Sequence, residues 1–110
     1  MLSGETEQYI CAVSLAYRTQ AARIATLIDS TETAVIRRAA EIGYVFVTLA
    51  DIERTRRTKR ALGPRRNVAF PQHVRGRVEA LGFGTLADRL NAMIAHGLAV
   101  LDPRPPLERY

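Results

Sequence analysis

Apolar residues recur at helical spacing between Thr31 and Gly43. They share one face of a helix: Val35, Ile36, Ala39, Ala40 and Ile42. Ser30 or Thr31 can cap the first turn, because a side-chain oxygen there accepts hydrogen bonds from free amides. Gly43 is a residue type that ends or bends a helix. The pattern predicts an amphipathic helix with one buried face.

The same pattern returns 54 residues later, between Thr85 and Gly97. Thr31 and Gly43 fall on Thr85 and Gly97, and the apolar residues again share one face: Leu86, Leu90, Met93 and Ile94. This second helix is expected to run to about Val100. Few residues are identical between the copies, so the repeat is one of pattern.

Each of these helices is preceded by the same two predicted elements. Tyr9 to Leu15 alternates like a strand, with Tyr9, Cys11, Val13 and Leu15 on one face, and a helix from Tyr17 to Ile28 follows. In the second copy a short strand from Asn67 to Phe70 leads into a helix that Pro71 opens and Gly82 to Gly84 ends. Strand, helix, helix therefore occurs twice. Tyr44 to Leu49 fits either the end of a helix or a short strand.

The charge distribution divides the chain further. A basic linker, residues 51–64, is expected between a first unit at 8–50 and a second at 65–101, and its first part is predicted to be helical. Gly63 and Pro64 interrupt regular structure near its end. The proline-rich residues 102–110 are expected to form a flexible tail.

Composition narrows the function classes. The 110 residues suffice for one domain, or two small units with a common core, and the net charge of +5 comes from arginine apart from Lys59. A basic balance of this kind favours nucleic acid. No apolar run is long enough for a bilayer, and the polar start predicts no signal peptide. With Cys11 as its single cysteine, the chain is expected in the reducing cytoplasm.

No catalytic or metal site is expected. His73 and His96 lie on predicted helices, distant in sequence from Cys11 and without a paired nucleophile or a carboxylate cluster. The chain is therefore predicted not to be an enzyme and to need no cofactor.

These elements and motifs resemble the ribbon-helix-helix family, the Arc and MetJ type of DNA-binding protein. In that family a strand ends in a hydrophobic residue and proline, which Phe70-Pro71 matches and Leu15-Ala16 matches without the proline. The family's second helix is typified by Ser-Glu-Leu-Ile-Arg-Arg-Ala; Thr33 to Ala39 is similar, and Ala87 to Met93 is a looser copy.

The resemblance implies a mainly α fold with a short two-stranded antiparallel β-ribbon. A single strand leaves half of its backbone groups unpaired, so two copies must pair. Family members commonly do so as dimers. Since this chain carries both copies, two ribbon-helix-helix units are expected to form an intramolecular pseudo-dimer.

The resemblance also implies sequence-specific binding of double-stranded DNA, with the ribbon in the major groove. The base-reading positions would be Ile10, Ala12, Ser14, Arg65, Asn67 and Ala69. Phosphate contacts are expected where each second helix begins and along the linker, at Ser30, Thr31, Glu32, Gly84, Thr85, Leu86, Arg54, Arg56, Arg57, Lys59 and Arg60. Unlike strands predict a non-palindromic target.

Several roles are compatible with such a protein. It would act as a transcriptional regulator or as an accessory factor at a DNA-transfer origin of a conjugative plasmid. One alternative is a helix-turn-helix repressor that reads DNA with Thr33, Arg37 and Arg38; another is an antitoxin-type protein that binds a partner protein as well as DNA. A second copy on adjacent DNA is a further expected partner, and no membrane is expected.

Overall fold

The computed structural model describes residues 8–102, which are mainly helical. Two strands and five α-helices follow one another in this order: β1 Gln8–Ser14, α1 Leu15–Leu27, α2 Glu32–Phe46, α3 Leu49–Arg57, β2 Arg65–Pro71, α4 Gln72–Ala80 and α5 Leu86–Leu101. A short 3-10 helix, Lys59–Leu62, lies between α3 and β2. Of the expected tail only Asp102 is described, and Arg23 binds its carboxylate at 3.0 Å.

The two strands pair antiparallel along their full length and form a β-ribbon. Gln8 lies opposite Pro71 at one end, and Ser14 lies opposite Arg65 at the other. Facing residues share a side of the ribbon, and the inner side is buried in the core: Tyr9, Cys11, Val13 and Phe70, with Val68 partly buried. The predicted two-stranded antiparallel sheet is thereby confirmed.

The strand-to-helix junction of the first half lies earlier than predicted. Ser14 is the N-cap of α1 and Pro71 is the N-cap of α4. Aligned on these caps, Val13 corresponds to Phe70, and both are fully buried. Leu15 was expected on the inner face of the ribbon, but it is the first residue of α1 and remains 41% exposed. The prediction for Leu15 is wrong because the alternation of β1 ends at Val13.

The core is organised around the crossing of α2 and α5, which have the most extensive contact of any two elements. A Cβ atom added to Gly43 would overlap the backbone carbonyl of Met93, and one added to Gly97 would overlap that of Ala39. Gly43 and Gly97 are 54 residues apart, as are Ala39 and Met93. The two helices therefore touch backbone to backbone at two equivalent points, where only glycine fits.

The predicted starts of the long helices are confirmed, but the predicted stop of α2 is not. Thr31 Oγ1 accepts a hydrogen bond from the Ala34 amide, and Thr85 Oγ1 accepts one from the Asp88 amide. Helix α2 continues past Gly43 to Phe46, because the glycine is buried at the crossing, where α5 supports the helix. Residues 44–49 consequently form no strand.

Each long helix also holds the strand of the other half. Asn91 on α5 donates to the Ala12 carbonyl at 2.9 Å and accepts from the Ser14 amide at 3.0 Å. Arg37 on α2 donates through Nε to the Ala69 carbonyl at 3.0 Å. Asn91 and Arg37 occupy equivalent positions, 54 residues apart, and Ala12 and Ala69 correspond when the strands are aligned on their caps. The halves are thus tied crosswise.

The linker contains a packed helix, in agreement with its predicted helical first part. Thr48 and Asp51 form a capping box at the start of α3, and Ile52 is buried where α3 packs near α5. Gly63, with φ of 79°, turns the chain towards β2, and the Pro64 carbonyl accepts from the Leu15 amide at 2.9 Å. No described helix is both long enough and apolar enough to cross a membrane.

Candidate nucleic-acid interface

The outer side of the β-ribbon forms the candidate interface. Ile10 lies opposite Ala69, and Ala12 lies opposite Asn67. Ile10 is 53% exposed, Asn67 is exposed, and the two alanines are half-buried. Four of the six predicted base-reading residues therefore form one continuous surface. A two-stranded ribbon of this kind has the dimensions that the major groove admits.

Gln8 belongs to the same surface, although the sequence analysis did not include it among the base-reading residues. It is the first residue of β1, it is exposed, and it alternates in phase with Ile10 and Ala12. A glutamine amide can hydrogen-bond an adenine edge at two points. The alternation from Tyr9 to Val13, extended by one residue, would have located it.

The prediction for Ser14 is wrong. Its side chain is fully buried, and its amide is held by Asn91. The strand is leaving the ribbon at this point, since Ser14 is also the N-cap of α1. A hydroxyl enclosed in this way cannot reach a base edge.

Arg65 is outward in register but is held by an acid. Its guanidinium lies 3.2 Å from Asp88 Oδ1, and its side chain is only 20% exposed. Asp88 is fully buried in the first turn of α5, and Lys59 approaches the same oxygen at 3.5 Å. A buried carboxylate between two cations is costly to uncover. Arg65 as observed therefore neutralises Asp88 and is not free for a base, contrary to its predicted role, whereas the neighbouring Arg66 is exposed.

The starts of α2 and α5 offer free backbone amides together with nearby acids. Most of the six predicted phosphate-binding residues are exposed, with Glu32 and Leu86 half-buried: Ser30, Thr31, Glu32, Gly84, Thr85 and Leu86. Glu32 and Asp88 each place a carboxylate in the first turn. Such a charge competes with phosphate for the positive end of the helix dipole. The Asp88 charge is balanced by Arg65 and Lys59, so the start of α5 is the less repulsive of the two.

The linker arginines are exposed but mostly paired within α3. Arg54 lies 3.5 Å from Asp51, and Glu53 contacts Arg56 at 3.0 Å and Arg57 at 3.7 Å. Arg60, in the 3-10 helix, is exposed and has no ion pair among residues 8–102. Exposed pairs of this kind are weak, so the linker retains positive charge that phosphate can recruit.

The residues of the helix-turn-helix alternative do not form a free reading surface. Thr33 and Arg38 are exposed, but Arg37 is engaged with the Ala69 carbonyl of the ribbon. The next positions of α2, Val35, Ile36, Ala39 and Ala40, are buried in the core.

The remaining reactive side chains have structural surroundings. Burial raises the pKa of the Cys11 thiol, so this residue packs as a small apolar side chain. His73 is exposed on α4, and His96 lies 3.3 Å from Asp51 and stacks on Phe46. In the described part of the chain, no three metal-ligating side chains form a group that could hold an ion.

Comparison of the chain with protein-family models, with curated proteins and with solved structures yields no match. Its function is therefore argued from its own residues and geometry.

Proposed function

We propose that the chain is an intramolecular pseudo-dimer of two ribbon-helix-helix units and binds double-stranded DNA sequence-specifically. The observation that carries the proposal is the crosswise tie between the halves. Asn91 holds β1 and Arg37 holds β2 from equivalent positions on α5 and α2. Two units that exchange such contacts behave as the two subunits of a dimer, joined here by the linker.

The reciprocal glycine contacts support the same symmetry. Gly43 against Met93 and Gly97 against Ale39 would be related by a twofold axis through the helix crossing.

 The residues involved, Gly43 with Met93 and Gly97 with Ala39, sit at the same spacing in both halves, so one operation relates both contacts. The β-ribbon pairs across the same relation, since its two antiparallel strands each run directly into a helix.

The outer side of the ribbon supplies the chemistry for base recognition. Gln8 and Asn67 carry amides that can bind an adenine edge at two points, while Ile10, Ala12 and Ala69 can contact a thymine methyl. Arg66, Arg38 and Arg60 add exposed positive charge that can attract the phosphate backbone. The two strands differ at every outward position, which favours a non-palindromic target.

Two biological roles fit this activity. A transcriptional regulator and an accessory factor at a DNA-transfer origin both need a small protein that recognises one duplex sequence. The helix-turn-helix alternative receives less support, because Arg37, one of its three reading residues, is bound to the ribbon backbone.

Selection of duplexes from a random pool by the full chain tests the proposal. We expect enrichment of one non-palindromic motif, and loss of the preference for that motif over a scrambled duplex in the double variant Gln8→Ala/Asn67→Ala. Thr33→Ala/Arg38→Gln is the matched control for the rival reading surface, and it should weaken both duplexes alike. Unselective binding by the wild type, or loss of discrimination only in the control, would overturn the proposal.

A further inference from the structure

A cavity of about 350 Å³ lies between α1, α3 and α5, away from the outer side of the ribbon. This volume falls in the range of about 300–1,000 Å³ that is usual for small-molecule sites. Methyl groups of α5 form its apolar wall: Ala92, Ala95, Ala99 and Val100. The apolar wall can accommodate a flat hydrocarbon group.

The polar side of the cavity is formed mainly by α3. Asp51, Arg54, Thr55 and Thr58 line it, together with His96 from α5 and Tyr17 from α1. The hydroxyl protons of Thr55 and Thr58 are used within α3, where they are donated to the carbonyls of Asp51 and Arg54. Burial raises the pKa of the Tyr17 phenol, so this group stays neutral.

Asp51 is already occupied by its neighbours. Its carboxylate accepts from the Thr48 amide at 3.0 Å and lies 3.3 Å from His96 Nδ1 and 3.5 Å from Arg54 Nη1. Although partial burial acts in the opposite direction, the Thr48 hydrogen bonds and the nearby His96 and Arg54 lower the pKa of Asp51. The acid is therefore ionised and has little capacity for another donor.

The Arg54 guanidinium, by contrast, has capacity to spare. Its side chain is 71% exposed, and Asp51 is its one acidic contact among the described residues. A guanidinium carries five donors in a planar fork that matches a carboxylate. An incoming polar group at this mouth thus meets a spare cation and a saturated acid.

We propose that this cavity is a binding site for a small aromatic carboxylate. The ring lies against Ala92, Ala95 and Ala99, and the carboxylate pairs with Arg54. The stacking of Phe46 on His96, with 6.1 Å between ring centroids, orients the imidazole at the edge of the site. The site does not depend on the proposed DNA binding, because it uses other residues on other elements.

Titration of the full ¹⁵N-labelled chain with 2-naphthoate, followed by amide chemical shifts, tests the site. We expect a dissociation constant of about 1 mM, typical of a ligand of this size, with shifts at Ala92, Ala95 and Ala99. The neutral isostere 2-naphthamide should bind about tenfold more weakly, because it lacks the charge-assisted hydrogen bonds to Arg54.

Three variants separate the apolar wall from the charge. Arg54→Gln should weaken 2-naphthoate about tenfold, whereas Arg56→Gln, on the same helix but outside the cavity, should leave binding unchanged. Ala95→Leu should fill the cavity and abolish binding, and Ala99→Leu, at an exposed position, repeats the test if the first variant loses its fold.

The proposal is overturned if 2-naphthoate causes no shifts at the lining residues up to roughly 5 mM. Equal binding of the amide and the acid, or full binding by Arg54→Gln, would equally exclude the carboxylate-specific site.

Discussion

The two halves of the chain share an order of elements but hold each other's strands by different means. In the first half, Arg37 reaches β2 with a partly exposed guanidinium. In the second half, the equivalent Asn91 is fully buried and uses both ends of its amide, on the Ala12 carbonyl and the Ser14 amide. Beside it, the buried Asp88 draws in Arg65 and Lys59.

This difference shows what joining two copies in one chain allows. In a homodimer every substitution appears twice, on both sides of the twofold axis. Here one end of the ribbon has a buried polar cluster while the other does not, and the outward residues differ between strands. Each copy can therefore specialise without changing its counterpart.

The largest expected effect concerns separation of the halves. Residues 1–52 and 63–110, expressed separately, should each fail to fold as a monomer, because each would lose its strand partner and its crosswise hydrogen bond. Circular dichroism and mass measurement test this, and mixing the two pieces should restore helicity. A half that is stable as a monomer would contradict the crosswise description, and a half that folds only as a homodimer would show that joining is not required.

The glycine crossing tests whether the halves are equivalent at their centre. Gly43→Ala and Gly97→Ala should each destabilise the protein by about 3 kcal/mol or more, because the added methyl meets backbone that cannot move aside. Gly76→Ala on α4 is the control; it has open space and should gain about 0.5–1 kcal/mol from helix propensity. Urea unfolding measures all three. If one crossing variant were harmless, the contact would not be reciprocal.

The two crosswise ties should differ in strength. Asn91→Leu should cost roughly 3 kcal/mol, because it leaves the Ser14 amide and the Ala12 carbonyl without a partner in a buried place. Arg37→Met should cost about 1 kcal/mol, because water can replace the guanidinium at the Ala69 carbonyl. Equal losses in thermal or urea unfolding would indicate that the two ends of the ribbon are equally buried.

DNA selectivity should reveal the same asymmetry on the outer side of the ribbon. Aligned on the helix caps, Asn67 corresponds to Ile10. Asn67→Ala should lose about 1–3 kcal/mol on the selected duplex and little on a scrambled one, whereas Ile10→Ala should lose less, since it removes only apolar contact. Ser14→Ala, which alters a buried hydroxyl, is the control and should keep its preference. Unchanged selectivity in Asn67→Ala would show that the ribbon does not read this base pair.

The smallest effect is expected from the linker, which belongs to neither half. Arg60→Gln should weaken selected and scrambled duplexes alike and reduce the slope of log affinity against log salt by about one, if Arg60 contacts phosphate. Arg56→Gln should change the slope less, because Glu53 already holds that guanidinium at 3.0 Å. A larger change for Arg56 than for Arg60 would contradict the pairing seen within α3.

The elements were predictable from sequence because each has a local cause. Thr31 and Thr85 cap their helices through their own side chains, and the alternation of Tyr9, Cys11 and Val13 marks β1. The errors arose where distant residues decide the outcome. Gly43 looked like a helix stop because its contact, Met93, lies in the other copy.

The candidate interface shows the same limit. Ile10, Ala12, Asn67 and Ala69 follow from strand alternation alone, and Gln8 required only one more step of it. The burial of Ser14 and the engagement of Arg65 depend on Asn91 and Asp88, whose positions on α5 become relevant only after the chain has folded.

The pairing of β1 with β2 also sets the order in which a new chain can fold on the ribosome. Strand β1 is synthesised first, and its partner is not complete until Pro71 has been added. Until then its backbone groups form an open edge on which another strand can pair. Contacts between residues so far apart in sequence also form slowly. The nascent first half is therefore the stage at which two copies of the chain are most exposed to pairing with each other, before the second half competes for the same edge.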